Sequence, residues 1–87
     1  MEFNTEKVRS EIRKFIVDSY LLGDESVKFT DSDSFMRRGI IDSMGILELT
    51  AFLEQQYSIT VADSEMLPTN LDSVENLIGF IKTKSGS

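Results

Sequence analysis

The sequence predicts an all-α fold: a small four-helix bundle of three main helices and one short one, with a long ordered loop between the first and second helices. Three observations lead there. Three stretches repeat apolar residues at steps of three and four. No stretch longer than the few residues around Ile59 has the alternation and β-branched content of a strand. At 87 residues the chain reads as one domain, residues 1–87, burying only roughly 60 to 70% of its unfolded surface, so a single core must serve every helix.

The first helix is expected from Asn4 to Tyr20, where Val8, Ile12, Phe15, Ile16 and Tyr20 make an apolar stripe between charged residues. Asn4 or Thr5 caps its start, Glu6 suits the positive end of its dipole, and Gly23 offers a stop. Residues 21 to 42 carry no period, and so long a loop in so small a domain needs anchors or a function. Phe29, Phe35, Ile40 and Ile41 are spaced to pin it to a core, with a single helical turn near Ser34 to Arg37.

The helical period returns from Ser43 to Tyr57. At about 100° per residue, Ile46, Leu49, Leu53 and Tyr57 fall in one stripe roughly 80° wide, a core face. Met44, Leu47 and Ala51 lie nearly opposite, beside Glu48, and form a second apolar strip that packing on one core does not require. Covering loop residues would explain such a strip; so would a docking partner. After Ile59-Thr60-Val61, Asp63 or Ser64 caps a stub through Met66 and Leu67, which Pro68 stops. The last helix is expected from Leu71 to Ile81 on Val74, Leu77, Ile78 and Ile81, with Asp72 and Glu75 as a variant capping box. The bundle then covers about residues 5–82, and the tail 83–87 is expected to fray.

Composition removes several functions. The chain has no cysteine and no histidine, which excludes disulfides, zinc sites built on those residues, cysteine nucleophiles and a Ser-His pair, so a self-contained enzyme is not expected. A net charge of -6 and a pI near 4.5 repel nucleic acid and anionic membranes and attract basic protein partners. With no apolar run of membrane-spanning length and nothing resembling a secretory leader, the expectation is a cytoplasmic monomer. Asp31 and Asp33, with Asp42 at the twelfth position from Asp31, invite comparison with a calcium loop. The pattern breaks at its sixth position, where a glycine is needed and Met36 stands, so a solvated acidic loop is the better expectation.

One stretch remains, Gly39-Ile40-Ile41-Asp42-Ser43-Met44, which sets a serine where a loop ends and an amphipathic helix begins. Such a serine is a helix cap or an attachment point. The stretch resembles the Asp-Ser-Leu attachment motif of the acyl carrier and peptidyl carrier proteins. The resemblance continues through Glu48-Leu49, Leu53-Glu54, Tyr57-Ser58-Ile59 and Asn70-Leu71-Asp72-Ser73-Val74, and covers about residues 5 to 82.

The resemblance implies a right-handed four-helix bundle whose Ser43 receives 4'-phosphopantetheine from coenzyme A through a phosphopantetheinyl transferase. The arm's thiol then carries acyl, aminoacyl or peptidyl cargo as a thioester from a loading ligase or synthetase to a downstream synthase or transferase. Asp42 matches the acid that helps the transferase recognise the motif, and Met44, Leu47, Glu48 and Ala51 match positions that meet partner enzymes. The alternative is an unmodified docking or scaffold subunit in which Ser43 only caps. Met44 stands in place of the family's leucine, Arg37 and Arg38 precede the motif, and the helix from Ser43 has only Glu48 and Glu54 as acids. Such a face is less acidic than that of a typical fatty-acid carrier and suits a dedicated carrier of a specialised, aminoacyl or peptidyl pathway.

Overall fold

The structure, a computed structural model, describes residues 4–24 and 26–85. It is all-helical. Helix α1 spans Thr5–Tyr20, α2 spans Ser43–Tyr57, α3 is the four-residue Pro68–Leu71, and α4 spans Val74–Lys84; a single 3-10 turn covers Asp63–Glu65. Among the described residues there is no strand.

Helix α1 begins as its sequence directs: the Asn4 side chain accepts a hydrogen bond from the Lys7 N–H (3.0 Å). Val8, Ile12 and Ile16 are its buried face. It ends through Leu21 and Gly23, whose N–H groups both donate to the Val17 carbonyl (3.1 and 2.9 Å).

Two ties set α1 and α2 antiparallel. At one end Tyr20 donates its hydroxyl to the Gly45 carbonyl (2.8 Å), and at the other Tyr57 donates to Glu11 (3.0 Å). Between them Phe15 and Phe52 stack with ring centroids 4.0 Å apart. The buried face of α2 is therefore broader than the expected stripe. Leu49 and Leu53 are its fully buried centre, but Gly45 and Phe52 extend it roughly 60° towards α1, counting about 100° per residue. Ile46 and Tyr57 are half-buried at the opposite edge. Thr50 is buried as well, because its hydroxyl bonds to the Ile46 carbonyl one turn back (2.8 Å).

The loop is ordered by the expected anchors. Phe29, Phe35 and Ile41 are buried, and Ile40 packs partly against the core. One helical turn is present at Ser34–Arg38, closed by the bond from Arg38 N–H to the Ser34 carbonyl (3.0 Å). A second set of ties holds the loop to α1: Asp31 pairs with Arg9 (2.5 Å) and Arg13 (2.9 Å), and the Arg13 guanidinium lies 4.1 Å from the Phe29 ring centre.

Two expectations about the second half need correction. Pro68 does not stop a helix; it starts one, as the first residue of α3, where its missing N–H has no intrahelical partner to lose. The turn expected before it is the 3-10 turn. Nor do Asp72 and Glu75 form a capping box. The cap of α4 is Ser73, whose hydroxyl accepts from Asn76 N–H (3.0 Å), so the helix starts three residues later than expected. Helix α4 continues through Thr83 and Lys84, with Lys84 paired to Glu65 (2.9 Å). The end of the tail expected to fray, residues 86 and 87, lies outside the described residues.

Candidate functional site

Ser43 is placed by what precedes it. Gly39 takes a left-handed conformation (φ 72°), which a side chain would resist, and turns the chain from the helical turn at Ser34–Arg38 into Ile40 and the buried Ile41. Asp42 then caps α2: its side chain accepts from Gly45 N–H (2.8 Å) and its carbonyl from Ile46 N–H (3.1 Å). Ser43 is the first residue of the helix and is exposed, and its hydroxyl has no partner among the described residues. The N–H groups of Ser43 and Met44 likewise lack an acceptor among the described residues, so the helix presents its positive end at this hydroxyl.

Gly45 is there for close approach. A Cβ at this position would stand 2.7 Å from the Ile41 Cγ2 and 3.0 Å from the Tyr20 Cε1. Gly45→Ala gains about 1 kcal/mol of helix propensity, but overpacking against a buried branched side chain costs roughly 1–3 kcal/mol. We expect a net loss of stability and a shifted first turn of α2, read by thermal melting and by amide shifts confined to residues near Tyr20, Ile41 and Ser43. A melting temperature above the parent's would contradict it.

The same contact perturbs Tyr20, whose phenol is pushed up to about 12 by burial and by the nearby Glu48 and Asp42 carboxylates. Burial and the bond to Glu11 raise Tyr57 too. A phenol ionises near pH 10 in an unfolded chain, so folding keeps both protonated beyond that point. Stability owed to this difference is intact below about pH 10 and falls as pH rises towards 12. These are the two tyrosines of a chain without tryptophan, so phenolate absorbance reports them directly. Its midpoint should lie well above that of the urea-unfolded protein; coincident midpoints would refute the prediction.

Beside Ser43 opens an apolar groove of about 250 Å³, lined by Met36 from the loop, Ser43 and Ile46 from α2, and Met66, Leu67, Pro68, Leu71 and Asp72 from the α3 side. Three larger clefts, of about 510, 680 and 340 Å³, have mostly charged and polar linings and do not include Ser43. The second strip of α2 lies open on the surface. Met44 is 70% exposed and Leu47 54%, Glu48 and Ala51 are exposed beside them, and no loop covers the strip. Met36 and Leu67 add exposed apolar surface on the groove side, so Ser43 stands among large apolar side chains in contact with solvent.

The acids of the calcium comparison are not brought together. Asp31 holds Arg9 and Arg13, Asp33 holds Arg38 (2.8 Å) and the Thr30 N–H (2.8 Å), and Asp42 caps α2. Hydrogen bonding from Thr30 and the charge of Arg38 hold the Asp33 carboxyl below its usual range. Among the described residues, no group of three acidic side chains could hold a metal ion. The groove was not foreseen from the sequence: Met36 and Leu67, apolar residues in non-helical segments with no place in the core stripes, were its available signal.

No family model matches the chain, and no solved structure does. A curated relative does: the chain is 27% identical over 78 residues to polyketide-8 synthase acyl carrier protein 2 of Streptomyces avermitilis, covering 90% of this chain and 85% of the relative. Among the described residues no helix is long and apolar enough to cross a membrane. The chain is thus similar to an acyl carrier protein along nine tenths of its length, and its three long helices and a short one in this order agree with a small helical carrier bundle.

Proposed function

We propose that this chain is an acyl carrier protein, which holds its cargo as a thioester on a 4'-phosphopantetheine arm attached to Ser43 and passes it between the enzymes of a specialised pathway. The observation that carries the reading is the Ser43 hydroxyl itself, exposed and without a partner among the described residues at the positive end of α2, with an apolar groove opening beside it. A phosphodiester there is stabilised by the N–H groups of Ser43 and Met44 and by the dipole, by roughly 0.3 to 1 kcal/mol at an exposed site.

The chain does not activate its own serine. It has no histidine, and the carboxylate of the preceding Asp42 is occupied with capping. A phosphopantetheinyl transferase supplies the base. The Ser43 oxygen bonds to the pantetheine-bearing phosphorus of coenzyme A, the pyrophosphate link breaks, and adenosine 3',5'-bisphosphate leaves while the serine proton passes to the transferase. The arm supplies the thiol; this chain supplies position. Catalysis lies with the partners, and Asp42 serves as both cap and recognition acid.

Met44, Leu47 and Ala51, with Glu48, form the face on which those partners seat. Their exposure supports the reading, since an uncovered apolar strip next to the attachment point lowers the free energy of a complex by leaving water. The relative's name, a polyketide synthase carrier, and the arginines before the motif both favour a polyketide or other secondary-metabolite pathway over housekeeping fatty-acid synthesis.

The test is intact mass before and after incubation with coenzyme A and a broad-specificity phosphopantetheinyl transferase. One pantetheinyl addition, mapped by proteolysis to Ser43, is expected; folded protein that gains nothing overturns the reading and leaves an unmodified docking subunit. Loading and elongation by fatty-acid synthase components as efficient as on their own carrier would overturn the pathway assignment.

A further inference from the structure

We propose that Asp72 determines which cargo the groove accepts: it ties the loop segment bearing Met36 to the α3–α4 junction, which sets the groove's width at Ser43 and limits it to a short apolar acyl chain. This rests on the carrier reading above. Asp72 is not needed to start α4, because Ser73 caps that helix. Its polar atoms point elsewhere. The carboxylate accepts from the Ser34 hydroxyl and from Met36 N–H (3.0 Å), and its carbonyl accepts from Phe35 N–H (2.8 Å). Ser34 Oγ in turn accepts from Arg37 N–H (3.1 Å), so the same network holds the whole turn.

The groove has three walls: Met36 on the loop, Ser43 and Ile46 on α2, and Leu67 with Leu71 on the α3 side. Asp72 joins the first wall to the third. The methionine walls are soft, since an unbranched thioether changes rotamer cheaply. What fixes the spacing is the backbone tie at Met36. At about 250 Å³ the groove is smaller than the roughly 300–1,000 Å³ that encloses a drug-sized ligand, which suits a chain of a few carbons.

Loss of the Asp72 carboxylate should loosen this end alone. The loop keeps the buried Phe35, the carbonyl bond from Phe35 N–H, and a separate tie from Glu75 N–H to the Asp31 carbonyl (2.8 Å).

The experiment attaches acetyl-, hexanoyl- and dodecanoyl-pantetheine to Ser43 from the corresponding acyl-coenzyme A with a broad-specificity transferase, confirms loading by intact mass, and measures thioester cleavage by hydroxylamine together with the melting temperature. In the parent protein the hexanoyl thioester should be cleaved several-fold more slowly than acetyl and should raise the melting temperature, with dodecanoyl less protected than hexanoyl. In Asp72→Ala the hexanoyl advantage should disappear and dodecanoyl should gain protection, while acetyl is unchanged; general loosening would instead speed all three alike. Asp72→Asn, which can still accept from Met36 N–H, should retain the parent order.

A fully loaded parent whose cleavage does not depend on chain length overturns the proposal and leaves the carrier reading standing. So does a parent that protects dodecanoyl best, an Asp72→Ala variant with the parent's order, or equal acceleration of all three thioesters. A parent that takes no pantetheinyl group overturns the carrier reading first. If Asp72→Ala does not fold by circular dichroism, Asp72→Leu, which keeps side-chain bulk but has no acceptor for Met36 N–H, is judged by the same outcomes.

Discussion

Phe35→Ala should destabilise the protein by about 3–5 kcal/mol, the range for truncating a fully buried aromatic side chain. Phe35 is completely buried although it lies in a loop, and its ring meets Phe29 edge-on with centroids 6.3 Å apart. Its backbone is engaged as well: the N–H donates to Asp72, and the carbonyl accepts from Ile40 N–H (2.8 Å). A domain of 87 residues has a total stability of roughly 4–13 kcal/mol at about 0.05–0.15 kcal/mol per residue. One loop side chain therefore carries a large share of it. Urea denaturation at neutral pH measures the loss; a change below about 0.5 kcal/mol, the usual limit for surface positions, would show that the loop does not belong to the cooperative unit. The consequence reaches the site, because the turn that Phe35 anchors leads through Gly39 directly into Ile41, Asp42 and Ser43.

The sequence made the long helices legible because each carries its own period and its own cap. Asn4, Asp42 and the stripe on α1 needed no knowledge of the rest of the chain. Phe29, Phe35 and Ile41 were legible as anchors for a different reason: large apolar residues in an acidic loop have nowhere favourable to go except the core. What stayed hidden depends on which neighbour arrives. Gly45 and Phe52 face α1 only because Tyr20 and Phe15 come to meet them. Asp72 sits two residues before a helix, where a local rule assigns it to capping, yet Ser73 is the better-placed acceptor and the loop at Ser34–Met36 takes the carboxylate. Pro68 likewise follows the rule for a helix start once Leu67 is extended before it (ψ 150°). The exposed strip of Met44, Leu47 and Ala51 was visible as a pattern, but that no loop covers it is a property of the folded chain alone.

Ser43→Ala should abolish pantetheinylation completely while leaving the fold almost untouched. The hydroxyl is exposed and bonded to nothing among the described residues, and alanine is a good first-turn residue, so stability should stay within about 0.5 kcal/mol of the parent. Asp42 next to it behaves in the opposite way. Asp42→Ala removes the cap bond to Gly45 N–H and should cost about 0.5–2 kcal/mol, yet the nucleophile remains and modification should slow rather than stop. Asp42→Asn separates the two roles assigned to this acid. Asparagine caps about as well as aspartate, so stability should hold, and any fall in the transferase's kcat/KM then reports recognition of the charge. If Asp42→Asn is modified at the parent's rate, Asp42 is a cap and nothing more, and recognition must lie in Met44 and the strip behind it. If Ser43→Ala still gains a pantetheinyl group, the attachment point is another residue and the placement of the arm at the head of α2 is wrong.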